Sequence, residues 1–213
     1  MQYILDVTSF ILKGSVITFK LYLVTAIFSV PLGALCALGK ISRFRILRWF
    51  LGLYTWVFRG TPLMFQLFFT YYALPVFNIK LEPFTAAAVT YSINYAAYLT
   101  EIFRAGIESI DKGQYEAAKV LGMNYAQTMW RIILPQTIKR VIPPVSNEAI
   151  SLIKDTALIA AIGMPDLLRA AKEVLVRDFT ITPFFIASVL YLIITSFIVL
   201  IFRKIEKRYS VHE

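Results

Sequence analysis

Polar and apolar positions fall along this chain in long blocks rather than in short alternation. Crossing about 30 Å of hydrocarbon takes roughly 20 apolar residues, and runs of that kind extend over about 14–39, 49–77, 84–103 and 183–202. A weaker run over about 141–164 contains Asn147, Glu148, Ser151, Lys154 and Asp155, and a hydropathy window alone passes over it. The pattern predicts an all-α integral membrane protein of five transmembrane helices, forming a single domain over residues 1–213. Ahead of the first run, MQYILDVTSFILK carries Ile4, Val7 and Ile11 at helical spacing. It has no basic start and no small-residue cleavage site, so a cleaved signal peptide is not expected. Two readings stay open for it: a short amphipathic helix along the outer interface, or a frayed terminus.

Composition agrees with a bilayer environment, at 58% hydrophobic and 16% charged residues, with 17 Phe, 12 Tyr and 3 Trp for lipid contact and interfacial anchoring. The net charge of +9 first raises the question of nucleic acid, and the positions of the basic residues answer it. Fourteen of the 22 Lys and Arg fall on one side of the predicted spans: Lys40, Arg43, Arg45, Arg48, Arg104, Lys112, Lys119, Arg131, Lys139, Arg140, Arg203, Lys204, Lys207 and Arg208. Five (Lys13, Lys80, Arg169, Lys172, Arg177) fall on the other, and Lys20, Arg59 and Lys154 lie within spans. By the positive-inside rule the N-terminus is outside and the C-terminus cytoplasmic. Removing the weak fourth span would put the last two basic clusters on opposite faces, so the charge pattern supports that span. The basic residues are accounted for by topology, and no nucleic-acid-binding motif is present.

The connection over about 104–140 is cytoplasmic in this arrangement and far longer than a helical hairpin needs. Residues 115–124 suit a helix, with Gly122 interrupting the run. Ala117, Ala118 and Gly122 offer a face that another protein can approach closely, and Trp130, Ile132, Ile133 and Leu134 add apolar surface before Pro135 ends the segment. These features read as a docking element.

Glu116-Ala117-Ala118, three residues, Gly122, nine residues, Ile132, one residue, then Leu134-Pro135 resembles the EAA motif of ATP-binding cassette (ABC) importer permeases, with every fixed position filled. The stretches RGTPLMFQLFFTYYALP, NYAAYLTEIFRAGIESI and LIKDTALIAAIG are similar to those of polar amino acid permeases. The resemblance implies a five-helix permease core and a coupling helix between spans three and four, built on Glu116, Ala117, Ala118, Gly122, Ile132, Leu134 and Pro135. It implies a second permease chain, identical or homologous, two ATPase subunits that hold the ATP and Mg, and an extracytoplasmic protein that delivers an amino acid. It also implies import across a prokaryotic cell membrane.

Other chemistry is absent from the sequence. There is no GxxxxGK[ST] phosphate loop, so no cofactor is expected on this chain and ATP is handled by a partner. A lone His212 and a lone Cys36 make neither a metal site nor a nucleophile–base pair. The chain is not read as an enzyme, and Cys36 is most simply a small buried hydrophobe.

Ionisable residues inside spans mark the transport path by default. Lys20 fits snorkelling to the outer headgroups, and Glu101 fits a pair with Arg104 on one helix face. Arg59 sits near mid-membrane beside Gly60 and Pro62, where the backbone can bend and expose carbonyls. Glu148 and Asp155 lie on nearly one helix face, about 10 Å apart along the axis, with Asn147 and Ser151 nearby. The candidate path is therefore Arg59, Asn147, Glu148, Ser151 and Asp155. Free carboxylates there suit a cationic amino acid, whereas pairing with Arg59, Lys20 or Lys154 leaves a neutral path. The alternative function is an ion-coupled secondary carrier in which Glu148 or Asp155 binds a proton or Na⁺.

Overall fold

The computed structural model of the chain describes residues 2–209, and His212 lies outside them. All regular structure among the described residues is helical. The first helix, α1 (Gln2–Lys40), runs unbroken for 39 residues. The N-terminal stretch is thus neither a separate interfacial helix nor a frayed end; it is the first three turns of α1. Packing explains the continuity. Val7 and Ile11 are buried in one cluster with Leu167, Ala171 and Val174 of a helix at Leu167–Asp178 and with Ala187 of the last helix, Thr182–Tyr209. The Tyr3 hydroxyl adds a hydrogen bond of 2.8 Å to Asp178 Oδ2. Hydrogen bonds from Arg177 and from Tyr3 hold the Asp178 carboxyl down, at about 2.

Most residues of α1 buried further along are small or hydroxylated, namely Gly14, Ser15, Thr18, Thr25, Ser29, Gly33 and Ala37, with Leu21 the large exception. α1 packs most extensively on the helix Pro83–Glu108, which buries Ala86, Ala87, Ala96, Ala97 and Thr100. Lipid supplies no hydrophobic drive between helices, so close backbone approach through small residues takes its place. A Cβ at Gly33 would stand 2.8 Å from Leu99 Cβ.

The second predicted span is not one helix. α2 (Arg45–Gly60) stops at Thr61, and α3 (Leu63–Phe68) starts after Pro62, continuing through a π turn at Phe69–Ala73 and a 3₁₀ turn at Leu74–Phe77. Pro62 has no N–H to offer α2 and pushes the residue before it out of the helical region; Thr61 is extended at φ −115 and ψ 144. Next come α4 (Pro83–Glu108), α5 (Lys112–Val120), α6 (Tyr125–Thr128) and α7 (Leu134–Asp155). A 3₁₀ turn at Thr156–Ile162 extends α7 until Gly163, at φ 83, ends it, so this element covers nearly all of the weak fourth run. α8 (Leu167–Asp178) and α9 (Thr182–Tyr209) complete the chain. Asp166 caps α8, accepting from Leu168 N at 3.1 Å and Arg169 N at 2.9 Å.

Among the described residues two helices, α1 and α9, are long and apolar enough on their own to cross a membrane, while α4 and α7 are long enough but more polar. Only 28% of the most apolar window of α1 and 11% of that of α9 is buried within the chain. Their apolar surface therefore faces outward, unlike the core helices of a soluble protein.

Candidate functional site

The break between α2 and α3 is stitched to α4. Asn94 Nδ2, buried inside α4, donates to Phe58 O at 2.9 Å and to Gln66 Oε1 at 3.0 Å. Gln66 Nε2 in turn donates to Phe58 O at 2.9 Å, Thr61 O at 3.0 Å and Thr61 Oγ1 at 2.8 Å. The Phe58 and Thr61 carbonyls at the break thereby accept from side chains in place of helical N–H groups.

This stitching leaves residues 59–62 along a groove of about 650 Å³, whose other walls include Tyr95 and Tyr98 of α4 and Glu148, Ser151 and Asp155 of α7. A second groove of about 540 Å³ shares Arg59, Tyr98 and Glu148 with it and extends past Arg104, Ser109 and Arg140. Four of the five path candidates, Arg59, Glu148, Ser151 and Asp155, thus share one surface. Asn147 does not: it is exposed and stands outside the lining of both grooves. One position along a helix is 100° of rotation, enough to turn it away from its neighbour Glu148.

The Arg59 guanidinium lies over the Tyr98 ring, 5.4 Å from its centroid. Tyr95 Oη donates to Asp155 Oδ2 at 2.7 Å, and Tyr91 Oη donates to Asp155 O at 2.7 Å. Neither Glu148 nor Asp155 forms an ion pair among the described residues. The pairing with Arg59, Lys20 or Lys154 that would neutralise the path is therefore not made, and Lys20 and Lys154 are exposed. Gln66, Asn94, Tyr95 and Tyr98 escaped the reading of the sequence. Their signal was present: an amide and two phenols at positions 94, 95 and 98 put polar groups beside the Arg59 break.

Glu101 has a different environment. Lys40 of α1 pairs with its Oε1 and also donates to Thr55 Oγ1 of α2 at 2.9 Å. Arg104 stands 2.9 Å from its Oε2 and also pairs with Glu108. The Lys40 and Glu101 side chains are 15% and 14% exposed, so this network ties three helices in a largely buried setting.

The connection between α4 and α7 carries the motif residues in two directions. The helix of the connection, α5, begins at Lys112 and ends at Val120, earlier at both ends than the sequence predicts, because Asp111 caps it and Gly122 stops it. Gly113 N donates to Asp111 Oδ1 at 2.6 Å. At the other end Gly122 N bonds Lys119 O and Met123 N bonds Ala118 O, both at 3.0 Å, with Gly122 left-handed at φ 74. Glu116, Ala117 and Gly122 are exposed, and nothing lies within 4 Å of a Cβ built at Gly122. Ala118 is fully buried, so it does not belong to the outward face. Ile132 and Leu134 are half-buried against Ile107, Ile110, Met129 and Ile133. Pro135 does not end the segment: it stands in the first turn of α7, which follows directly on a π turn at Met129–Ile133. Val120 at 87% and Leu121 at 76% exposure extend the outward face with apolar surface.

Residues 29–211 match the family described as the binding-protein-dependent transport system inner membrane component. The chain is 40% identical over 205 residues to a putative glutamine transport system permease protein, GlnP, of Rickettsia felis, covering 95% of this chain and 94% of that one. It is 41% identical over 201 residues to the arginine transport system permease protein ArtQ of Bacillus subtilis, covering 93% and 92%. Among solved structures, an amino acid ABC transporter crystallised with histidines is similar at a TM-score of 0.91 and 34% identity, over 97% of both chains. The methionine ABC transporter MetNI, at 0.74 and 17% identity over 94% of both, shares the fold.

Proposed function

The chain belongs to the family of binding-protein-dependent transport system inner membrane components, and from that premise we propose that it passes a cationic amino acid along the groove of Arg59, Glu148, Ser151 and Asp155. It is a permease subunit of an amino acid ABC importer, with ATP hydrolysis on a separate subunit. Ion-coupled secondary transport is set aside accordingly.

One observation carries the choice of substrate: two carboxylates and one guanidinium line the groove, and the carboxylates have no ion-pair partner among the described residues. Arginine, lysine or protonated histidine brings one carboxylate and two cations, which matches that set charge for charge. Glutamine, a zwitterion with a neutral side chain, leaves one carboxylate desolvated without compensation. In this reading Arg59 receives the α-carboxylate, and Glu148 and Asp155 receive the two cationic groups, with the Tyr95 hydroxyl orienting Asp155.

In this reading five spans place the N-terminus outside and the C-terminus in the cytoplasm, as the distribution of basic residues supports. α5 then faces the cytoplasm, and Glu116, Ala117 and Gly122, with Val120 and Leu121, dock into an ATPase subunit that holds ATP and Mg. Two permease chains, identical or homologous, and two such subunits form the complex, fed by an extracytoplasmic amino acid-binding protein.

The test is uptake by the reconstituted importer with its ATPase and binding protein. Asp155→Asn and Glu148→Gln each remove a charge-assisted hydrogen bond to the substrate, worth about 1.5–3 kcal/mol. Uptake of cationic amino acids is expected to fall roughly 10–100-fold by the same measure, with neutral amino acids much less affected. Equal loss for both classes, accompanied by a less stable complex, would refute the assignment.

A further inference from the structure

The turn joining α1 to α2 and the first turn of α2 carry Arg43, Arg45 and Arg48, all exposed. None of them forms an ion pair among the described residues. The sequence supplies no local counter-charge, since no carboxylate occurs between Asp6 and Glu82. The nearest acid used by this end of α1 is Glu101, which is already engaged by Lys40 and Arg104.

Helix physics makes this placement costly. The N-terminal end of a helix carries partial positive charge and unsatisfied N–H groups, so acids favour it and bases oppose it. α2 has no acid in its first turn, and its N-cap residue, Phe44, makes no side-chain cap bond. Arg45 and Arg48 therefore add like charge to an uncapped positive end. Beside them Phe44, Ile46, Trp49 and Phe50 are exposed at 62%, 86%, 68% and 63%. Trp is an interfacial anchor, and apolar side chains next to basic ones are the composition that binds anionic bilayer surfaces.

We infer that residues 43–50 form a docking surface for anionic phospholipid headgroups on the cytoplasmic leaflet. The phosphates compensate the three arginines and the helix end together, while Ile46, Trp49 and Phe50 enter the acyl region. The same helix carries Arg59 at its far end, so lipid that holds the start of α2 also fixes the position of Arg59 in the groove. The inference rests on the orientation proposed above.

The permease with its ATPase subunit is placed in nanodiscs of equal parts phosphatidylcholine and phosphatidylglycerol, each lipid in turn carrying a photoactivatable group, and crosslinked peptides are mapped by mass spectrometry. Residues 43–50 are expected to capture phosphatidylglycerol at least about fivefold more than phosphatidylcholine, the scale expected for a basic juxtamembrane cluster. The Arg43→Lys/Arg45→Lys/Arg48→Lys variant keeps that preference, and the corresponding Gln variant loses it. Equal capture of both lipids by the wild type, or crosslinking of this segment to the ATPase instead, overturns the inference even where the Gln variant fails to insert. Labelling of Phe44→Cys in a Cys36→Ala chain from either side of the membrane reads the orientation separately, so its failure is distinguishable from failure of the lipid preference.

Discussion

Glu101 and the pair Glu148 and Asp155 are carboxylates within predicted spans of one helix bundle, yet they are treated in opposite ways. Glu101 is surrounded: Lys40 and Arg104 pair with it, and Thr55 closes the network by accepting from Lys40. Glu148 and Asp155 line an open groove and have no ion pair among the described residues, and Asp155 is oriented by a neutral phenol. A charge that serves the bundle is compensated from within the chain, because leaving it unpaired there is costly. In the function proposed above, a charge that serves the cargo is left for the cargo to compensate. On the proposed reading, the environment of a carboxylate, more than its position in a predicted span, separates structure from transport.

Breaking the first member of this comparison has the largest expected effect. Glu101→Ala strands Lys40 in a largely buried site, and loss of one partner of such a pair costs about 3–5 kcal/mol. The yield of folded complex and its thermal midpoint should drop sharply, and uptake of all amino acids should fall together. Retained stability with a change in substrate preference would put Glu101 on the path instead. Asp155→Asn and Glu148→Gln should do the reverse, altering preference while leaving the thermal midpoint within a few degrees of the wild type.

Gly122 gives a smaller effect at the surface of α5 proposed to dock an ATPase subunit. Its left-handed backbone has open space around it, so Gly122→Ala meets no clash and costs about 1–2 kcal/mol of local strain. Stimulated ATP hydrolysis and uptake should fall together about tenfold, by conversion of that strain, with insertion intact. Gly122→Asn should recover much of the loss because Asn tolerates the same conformation. If Asn behaves no better than Ala, the backbone at this turn is not what the coupling surface requires.

The smallest effect belongs to Tyr98, whose ring lies beneath Arg59. Tyr98→Phe should leave uptake nearly unchanged, whereas Tyr98→Leu removes a cation–π contact worth about 0.5–2 kcal/mol and should raise the apparent KM for a cationic amino acid several-fold at similar stability. Loss in the Phe variant equal to that in the Leu variant would move the role from the ring to the hydroxyl.

The two surfaces also differ in how far the sequence disclosed them. The connection between α4 and α7 was legible as a contiguous pattern of fixed spacing. What escaped was direction: Ala118 is turned inward by one helical position from Ala117, and the chain runs on helically through Pro135 instead of ending there. The groove was legible only in part, through polar residues that are expensive in lipid. Arg59 stood out by its depth and the proline beside it, and Glu148 and Asp155 by their spacing of seven. Gln66 and Asn94 did not, since their task is to satisfy carbonyls at the α2–α3 break, and which carbonyls are freed is a tertiary matter. The unbroken start of α1 was hidden for a similar reason: it is stabilised by α8 and α9, more than 150 residues away in the chain.

The central claim is that the unpaired carboxylates of the groove recognise a cationic amino acid, and equilibrium binding to the permease–ATPase complex without any binding protein tests it most directly. Removing the binding protein removes its own selectivity from the result. The account predicts that arginine binds at least about tenfold more tightly than glutamine, one uncompensated charge being worth more than about 1.4 kcal/mol, and that the difference vanishes in the Glu148→Gln/Asp155→Asn variant. Glutamine binding as tightly as arginine to the wild-type complex would contradict it.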